Sequence, residues 1–168
     1  MTRIITRLAA FMALLGGAVL LGLIVLTVIS VIGRGGSPYV DWMKPVTGDF
    51  ELIEAGIAFA VFAFLPLCQL TRAHAFVDVL TLGLPGRVTR ALDWMWEVVL
   101  TATTLLLTWQ LWIGTGAMMR NGQETYLLQF PIWWAYAASL AAAVVACVVA
   151  IACTALRLTG HLPRGHAA

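Results

Sequence analysis

Four stretches without a single Asp, Glu, Lys, Arg or His run along the chain, at residues 8–33, 55–71, 98–119 and 125–156. Short segments rich in charge, glycine or proline separate them. About 20 consecutive apolar residues cross the roughly 30 Å of bilayer hydrocarbon as a helix, so each stretch predicts one crossing. The last is longer than one crossing needs. Pro131, Trp133, Trp134 and Tyr136 mark its start as an interfacial belt, which places the fourth helix at residues 132–156. The other spans are expected at about 8–33, 50–71 and 98–119 within a single membrane domain covering residues 1–168. The fold class that follows is all-α integral membrane, with four transmembrane helices.

The segment joining the second and third spans carries a second pattern. After Pro85, a favoured first helical residue, Arg87, Arg90, Asp93 and Glu97 recur every three or four positions. Val88, Leu92, Met95 and Val99 fall on another side. Residues 85–97 therefore form a candidate amphipathic helix lying along the membrane surface. Equally, they are the wet first turns of a long third helix, and the sequence leaves both open.

Local features refine the spans. The first apolar run is too long for a cleaved signal peptide, whose apolar core runs about 7–15 residues, and no small-residue cleavage pattern closes it, so an uncleaved span is expected. Gly16, Gly17 and Gly22 offer small contact surfaces within it. Residues 34–47 break helices and carry Tyr39 and Trp42 as interfacial anchors. Pro66 removes a backbone donor and crowds the carbonyl of Phe62, which predicts a kink in the second span; the alternative there is a broken, substrate-binding helix. In the fourth span Ala138, Ala142, Ala146, Ala150 and Thr154 form a row at i, i+4 spacing. Such a row suits close backbone approach or a plain alanine-rich face toward lipid.

Composition agrees with the pattern. The chain is 61% hydrophobic and 11% charged, against about 25% charged in soluble domains. A net charge of +2, without a basic stripe, excludes a nucleic-acid footprint. Cys68, Cys147 and Cys153 all fall within spans, where buried thiols are expected and not disulfides.

Lysine and arginine set the orientation. Arg3, Arg7, Arg72, Arg87, Arg90, Arg157 and Arg164 share one side, whereas Arg34, Lys44 and Arg120 occupy the other. Seven against three predicts a multi-pass protein with both termini in the cytoplasm. Asp41, Asp49, Glu51, Glu54 and Glu124 make the outer side mildly acidic.

Candidate chemistry is sparse. No carboxylate or cation lies deep in a span, where a transporter binding its own coupling ion would need one. Haem ligation needs histidines within the bundle, but His161 and His166 fall in the tail and His74 at a span end. His74 and Asp78, spaced i, i+4, could share a helical face, yet two ligands without a third make a poor metal site and a local charge-assisted pair is expected instead. No nucleophile elbow, Walker loop or catalytic acid pair occurs. The chain is read as not an enzyme, and no cofactor is expected.

The order of short motifs resembles the small (Q-type) membrane subunit of tripartite ATP-independent periplasmic (TRAP) transporters. These are G-D-x-E-L at Gly48, Asp49, Glu51 and Leu52; H-x-x-V-D at His74, Val77 and Asp78; L-P at Leu84 and Pro85; G-Q-E-T at residues 122–125; and P-x-W-W-x-Y at residues 131–136. The resemblance implies a non-catalytic subunit that scaffolds a large membrane subunit and works with a periplasmic substrate-binding protein in sodium-driven uptake of organic acids, of the carboxylate or sialic acid type. It also implies that the large subunit carries the substrate and sodium sites. The short tail after the fourth span is expected to mean that this subunit is a separate chain. On this reading Arg34, Asp41, Lys44, Arg120 and Glu124 are candidates for docking the binding protein by charge complementarity. Glu51, Glu54, His74, Asp78, Trp94, Trp96, Trp133, Trp134, Ala138, Ala142, Ala146 and Ala150 are candidates for contact with the partner subunit or with membrane lipids. The alternative is an independent four-helix permease or channel acting as a homo-oligomer, and a third is a membrane anchor or chaperone without a transport role.

Overall fold

The computed structural model describes residues 2–37, 44–71 and 86–158, with the side chains of residues 2, 86–91, 93, 157 and 158 left out. Asp41, His74 and Asp78 lie outside the described residues. The described residues form four helices: α1 (Thr2–Gly36), α2 (Asp49–Thr71), α3 (Gly86–Asn121) and α4 (Ile132–Leu158). All four are long and apolar enough to cross a membrane, which makes this a four-span, all-α membrane protein.

Two helices outrun their apolar stretches. α1 has 35 residues and at about 1.5 Å per residue is longer than the hydrocarbon is thick. Nothing in residues 2–7 breaks a helix, so the polar end continues the apolar run. α3 is unbroken from Gly86, so residues 86–97 are its opening turns, and the window apolar enough to cross begins only at Trp94. α2 stays helical through Pro66, which is fully buried.

The neighbour order differs from the chain order. α2 packs on α1 with one side and on α4 with another, and α4 packs on α3; α1 and α4 touch lightly. The last helix in sequence is thus central. Its apolar window is 44% buried, against 11% for α1 and 17% for both α2 and α3, so most of the apolar surface of the outer helices is left for lipid or a partner.

Small residues let these helices approach. A Cβ on Gly16 would come within 3.1 Å of the Ala63 Cβ, whereas Gly17 and Gly22 meet nothing within 4 Å. Only the first of these three glycines serves the α1–α2 contact. On α4 the buried positions are Ser139, Ala142, Ala143, Ala146, Cys147, Val149, Ala150 and Cys153. An i, i+4 row advances about 40° per step around a 3.6-residue helix, so the alanine row does not stay on one face. It starts exposed at Ala138, passes through buried Ala142, Ala146 and Ala150, and ends at Thr154 against α3.

Candidate functional site

The described polar groups collect at two levels. The first lies where α1 ends, α2 begins and the α3–α4 loop folds over both. Gly48 supplies the first carbonyl of α2, accepting from Leu52 N–H at 3.2 Å. Asp49 then sits in the first turn, where free N–H groups and the positive end of the helix dipole favour a carboxylate. Its Oδ1 accepts from the Phe50 N–H at 3.0 Å. Its Oδ2 accepts from Ser30 Oγ at 2.5 Å and from Arg34 Nη2 at 3.1 Å. Ser30 and Arg34 are one helical turn apart on α1, so both reach the same acid. The guanidinium also stands 5.5 Å from the centre of the Phe50 ring, within the range of a cation–π contact.

Glu51 does something different from a capping box, in which an acid at this position folds back on its own helix. Its carboxylate reaches across to the α3–α4 loop and accepts from Leu127 N–H at 2.7 Å and Leu128 N–H at 3.0 Å. Gly48, with φ +80°, lies so close to the Leu128 side chain that any Cβ would collide with it. Both positive φ and close approach require glycine there. The loop is itself tightly bonded: Thr125 N–H donates to Phe130 O at 2.9 Å, Phe130 N–H to Thr125 Oγ1 at 3.0 Å, and Ile132 N–H to Gln123 O at 3.1 Å. Its tip presents Tyr126, which is 94% exposed.

Beneath the loop, between α2 and α4 with Leu111 of α3 at its edge, lies a half-open cavity of about 490 Å³. Ala55, Ala58, Phe62 and Ala135 give it apolar walls, and Glu54 and Glu124, both exposed, contribute carboxylates. Neither carboxylate has an ion pair or hydrogen bond among the described residues. Ser139 also lines the cavity; it is 2% exposed, and its Oγ has no hydrogen-bond partner among the described residues.

The second level is a polar seam within the bundle. Thr101 Oγ1 lies 2.9 Å from Thr154 Oγ1 and accepts from Gln69 Nε2 at 3.0 Å, so three helices meet at one hydroxyl. Farther along α3, Thr108 Oγ1 lies 3.0 Å from Cys147 Sγ, and Gly114 fits against the Tyr136 ring. Glu97 is buried three residues into the apolar window of α3. Among the described residues no group of three or more His, Cys, Asp or Glu side chains could hold a metal ion.

The sequence-derived candidates scatter across this frame. Arg34 is half-exposed and bound to Asp49. Lys44 is exposed, and its carbonyl closes on Gly33 so tightly that no side chain fits there. Arg120 is exposed at the end of α3. Glu51 and Glu54 share the cavity with Glu124. Trp96 and Trp134 are exposed, Trp94 and Trp133 half-buried. Trp133 and Trp134 meet edge-on at 5.7 Å, as do Phe130 and Trp134. Cys147 and Cys153 are buried and Cys68 half-buried, all as free thiols.

Asp49, Ser30, Gln69 and Ser139 escaped the sequence reading as site residues. Asp49 stood in plain view at the start of an apolar run, and serine four residues before an arginine was the only signal for its partners. The other two are polar residues in apolar stretches, individually too ordinary to single out.

Residues 23–160 match the family profile described as tripartite ATP-independent periplasmic transporters, DctQ component. No curated protein and no solved structure matches the chain.

Proposed function

The chain belongs to the DctQ component family of tripartite ATP-independent periplasmic transporters, a transporter component with four membrane spans, and from that premise we propose that it is the immobile scaffold of a sodium-driven organic-acid importer. On this reading it holds the large membrane subunit in the inner membrane, both termini cytoplasmic, and presents its α2–loop end to the periplasmic binding protein.

One observation carries the proposal. No Asp, Glu, Lys, Arg or His occurs at residues 8–33, 55–71, 98–119 or 132–156, so the depth at which a coupling ion and an anionic substrate would be bound holds no charged side chain to bind them. What those spans do hold is uncovered apolar surface. Ile24 and Val28 on α1 and Leu106, Trp109 and Trp112 on α3 are all more than half exposed. A moving transport domain needs a fixed reference in the bilayer, and broad, rigid, apolar faces suit that part. Asp41, Lys44 and Arg120 are the proposed contacts for the binding protein, where charge complementarity would speed encounter; Arg34 is instead committed to Asp49, and Glu124 lines the cavity under the loop.

Sodium-driven uptake in proteoliposomes tests the scaffold role. Reconstituted with its large subunit and binding protein, the chain supports uptake of an organic acid under an inward sodium gradient; reconstituted alone, it supports none. Uptake by the chain alone would overturn the proposal in favour of an independent homo-oligomeric permease.

A further inference from the structure

The cavity under the α3–α4 loop has a layered chemistry that scaffolding does not use. Two carboxylates, Glu54 from α2 and Glu124 from the loop, line it without partners among the described residues. Ser139 lines the same cavity, almost wholly buried, and its Oγ has no hydrogen-bond partner among the described residues. The remaining surface is apolar, with Ala55, Ala58 and Phe62 along α2.

Each layer asks for a different group. Carboxylates at the edge of a low-dielectric environment favour a cation, and charge-assisted hydrogen bonds favour one with N–H donors. A buried hydroxyl without a partner is costly, and as a donor it would be satisfied by a carbonyl oxygen. The apolar walls favour hydrocarbon. At about 490 Å³ the cavity is in the size range of small-molecule sites, and a single lysine stem would leave most of it empty.

We infer that this cavity binds an aminophospholipid, with the primary ammonium between Glu54 and Glu124, a glycerol-ester carbonyl accepting from Ser139 Oγ, and one acyl chain along Ala55, Ala58 and Phe62. The inference rests on the membrane placement of the chain and not on its role in uptake. The lipid fills the space between α2 and α4 and ties the α3–α4 loop to the bilayer.

Native mass spectrometry of the chain, released from nanodiscs made of equal parts phosphatidylethanolamine, phosphatidylcholine and phosphatidylglycerol, tests it. Phosphatidylethanolamine is retained about tenfold over each of the others, the factor that one charge-assisted hydrogen bond supplies. Phosphatidylcholine has no N–H donor and phosphatidylglycerol no cation. In Glu54→Gln/Glu124→Gln the preference over phosphatidylcholine disappears while the helical circular dichroism is unchanged. Equal retention of phosphatidylethanolamine and phosphatidylcholine by the unaltered chain would overturn the inference, whatever the folding of the variant. So would displacement of the lipid on adding the large subunit together with a carbodiimide cross-link from Glu54 to a lysine of that subunit, which would make the cavity a protein-docking site. Uptake is not measured in either arm, so failure here leaves the scaffold reading standing.

Discussion

Ser30 on α1 donates its hydroxyl proton to the carboxylate of Asp49 at the start of α2, 2.5 Å away and buried. The bond joins two helices across the first loop, and Arg34 completes it from one turn farther along α1. Ser30→Ala is expected to remove one of three donors to the acid and lower the unfolding temperature in detergent by a few degrees. Asp49→Asn is more damaging, because its amide turns a donor either toward the Phe50 N–H or toward both Ser30 and Arg34, and the guanidinium loses its counter-charge. Equal effects of the two substitutions, followed by thermal unfolding, would mean that the acid is not the hub of the cluster.

The loop between α3 and α4 depends on a residue of α2. Glu51 accepts from two consecutive backbone N–H groups, at Leu127 and Leu128, which a carboxylate can do and an amide cannot do with both of its ends. Glu51→Gln therefore frees one of the two N–H groups. Hydrogen exchange at one of Leu127 and Leu128 is expected to accelerate about tenfold, with the other and the α4 amides unaffected.

Position within the alanine row decides sensitivity. Ala146 is 1% exposed in the central helix, so Ala146→Leu forces a branched side chain into a closed contact and destabilises by about 1–3 kcal/mol. Ala138 is exposed on the same helix, and Ala138→Leu changes stability by no more than about 0.5 kcal/mol. Thermal unfolding of the two variants side by side measures the difference.

Charge reversal separates docking from folding. Arg120 and Lys44 are exposed, so Arg120→Glu and Lys44→Glu are expected to slow uptake by the assembled transporter at low ionic strength and to approach the unaltered rate at high salt. Arg34→Glu differs, since Arg34 is bonded to Asp49; its defect appears as lower thermal stability and persists in high salt. Salt-independent uptake in the first two variants would remove these residues from the docking surface.

How much of this was legible beforehand depends on the range of the interaction concerned. Hydrocarbon thickness and the 1.5 Å helical rise act on consecutive residues, so the uncharged runs by themselves determined four membrane-crossing helices, and the order of short motifs determined the family that the profile over residues 23–160 then matched. The alanine row was visible as spacing, but its drift of about 40° per step meant that only the neighbours of α4 could say which alanines are buried. That α4 lies between α2 and α3, that Glu51 holds Leu127 and Leu128 rather than its own helix, and that Glu54, Glu124 and Ser139 share one cavity were decided only by the tertiary structure. Each joins residues far apart in the chain, and every apolar helix offers faces of nearly equal hydropathy. What chooses among those faces is side-chain shape and the pairing of a few polar atoms, which come together only when the helices pack.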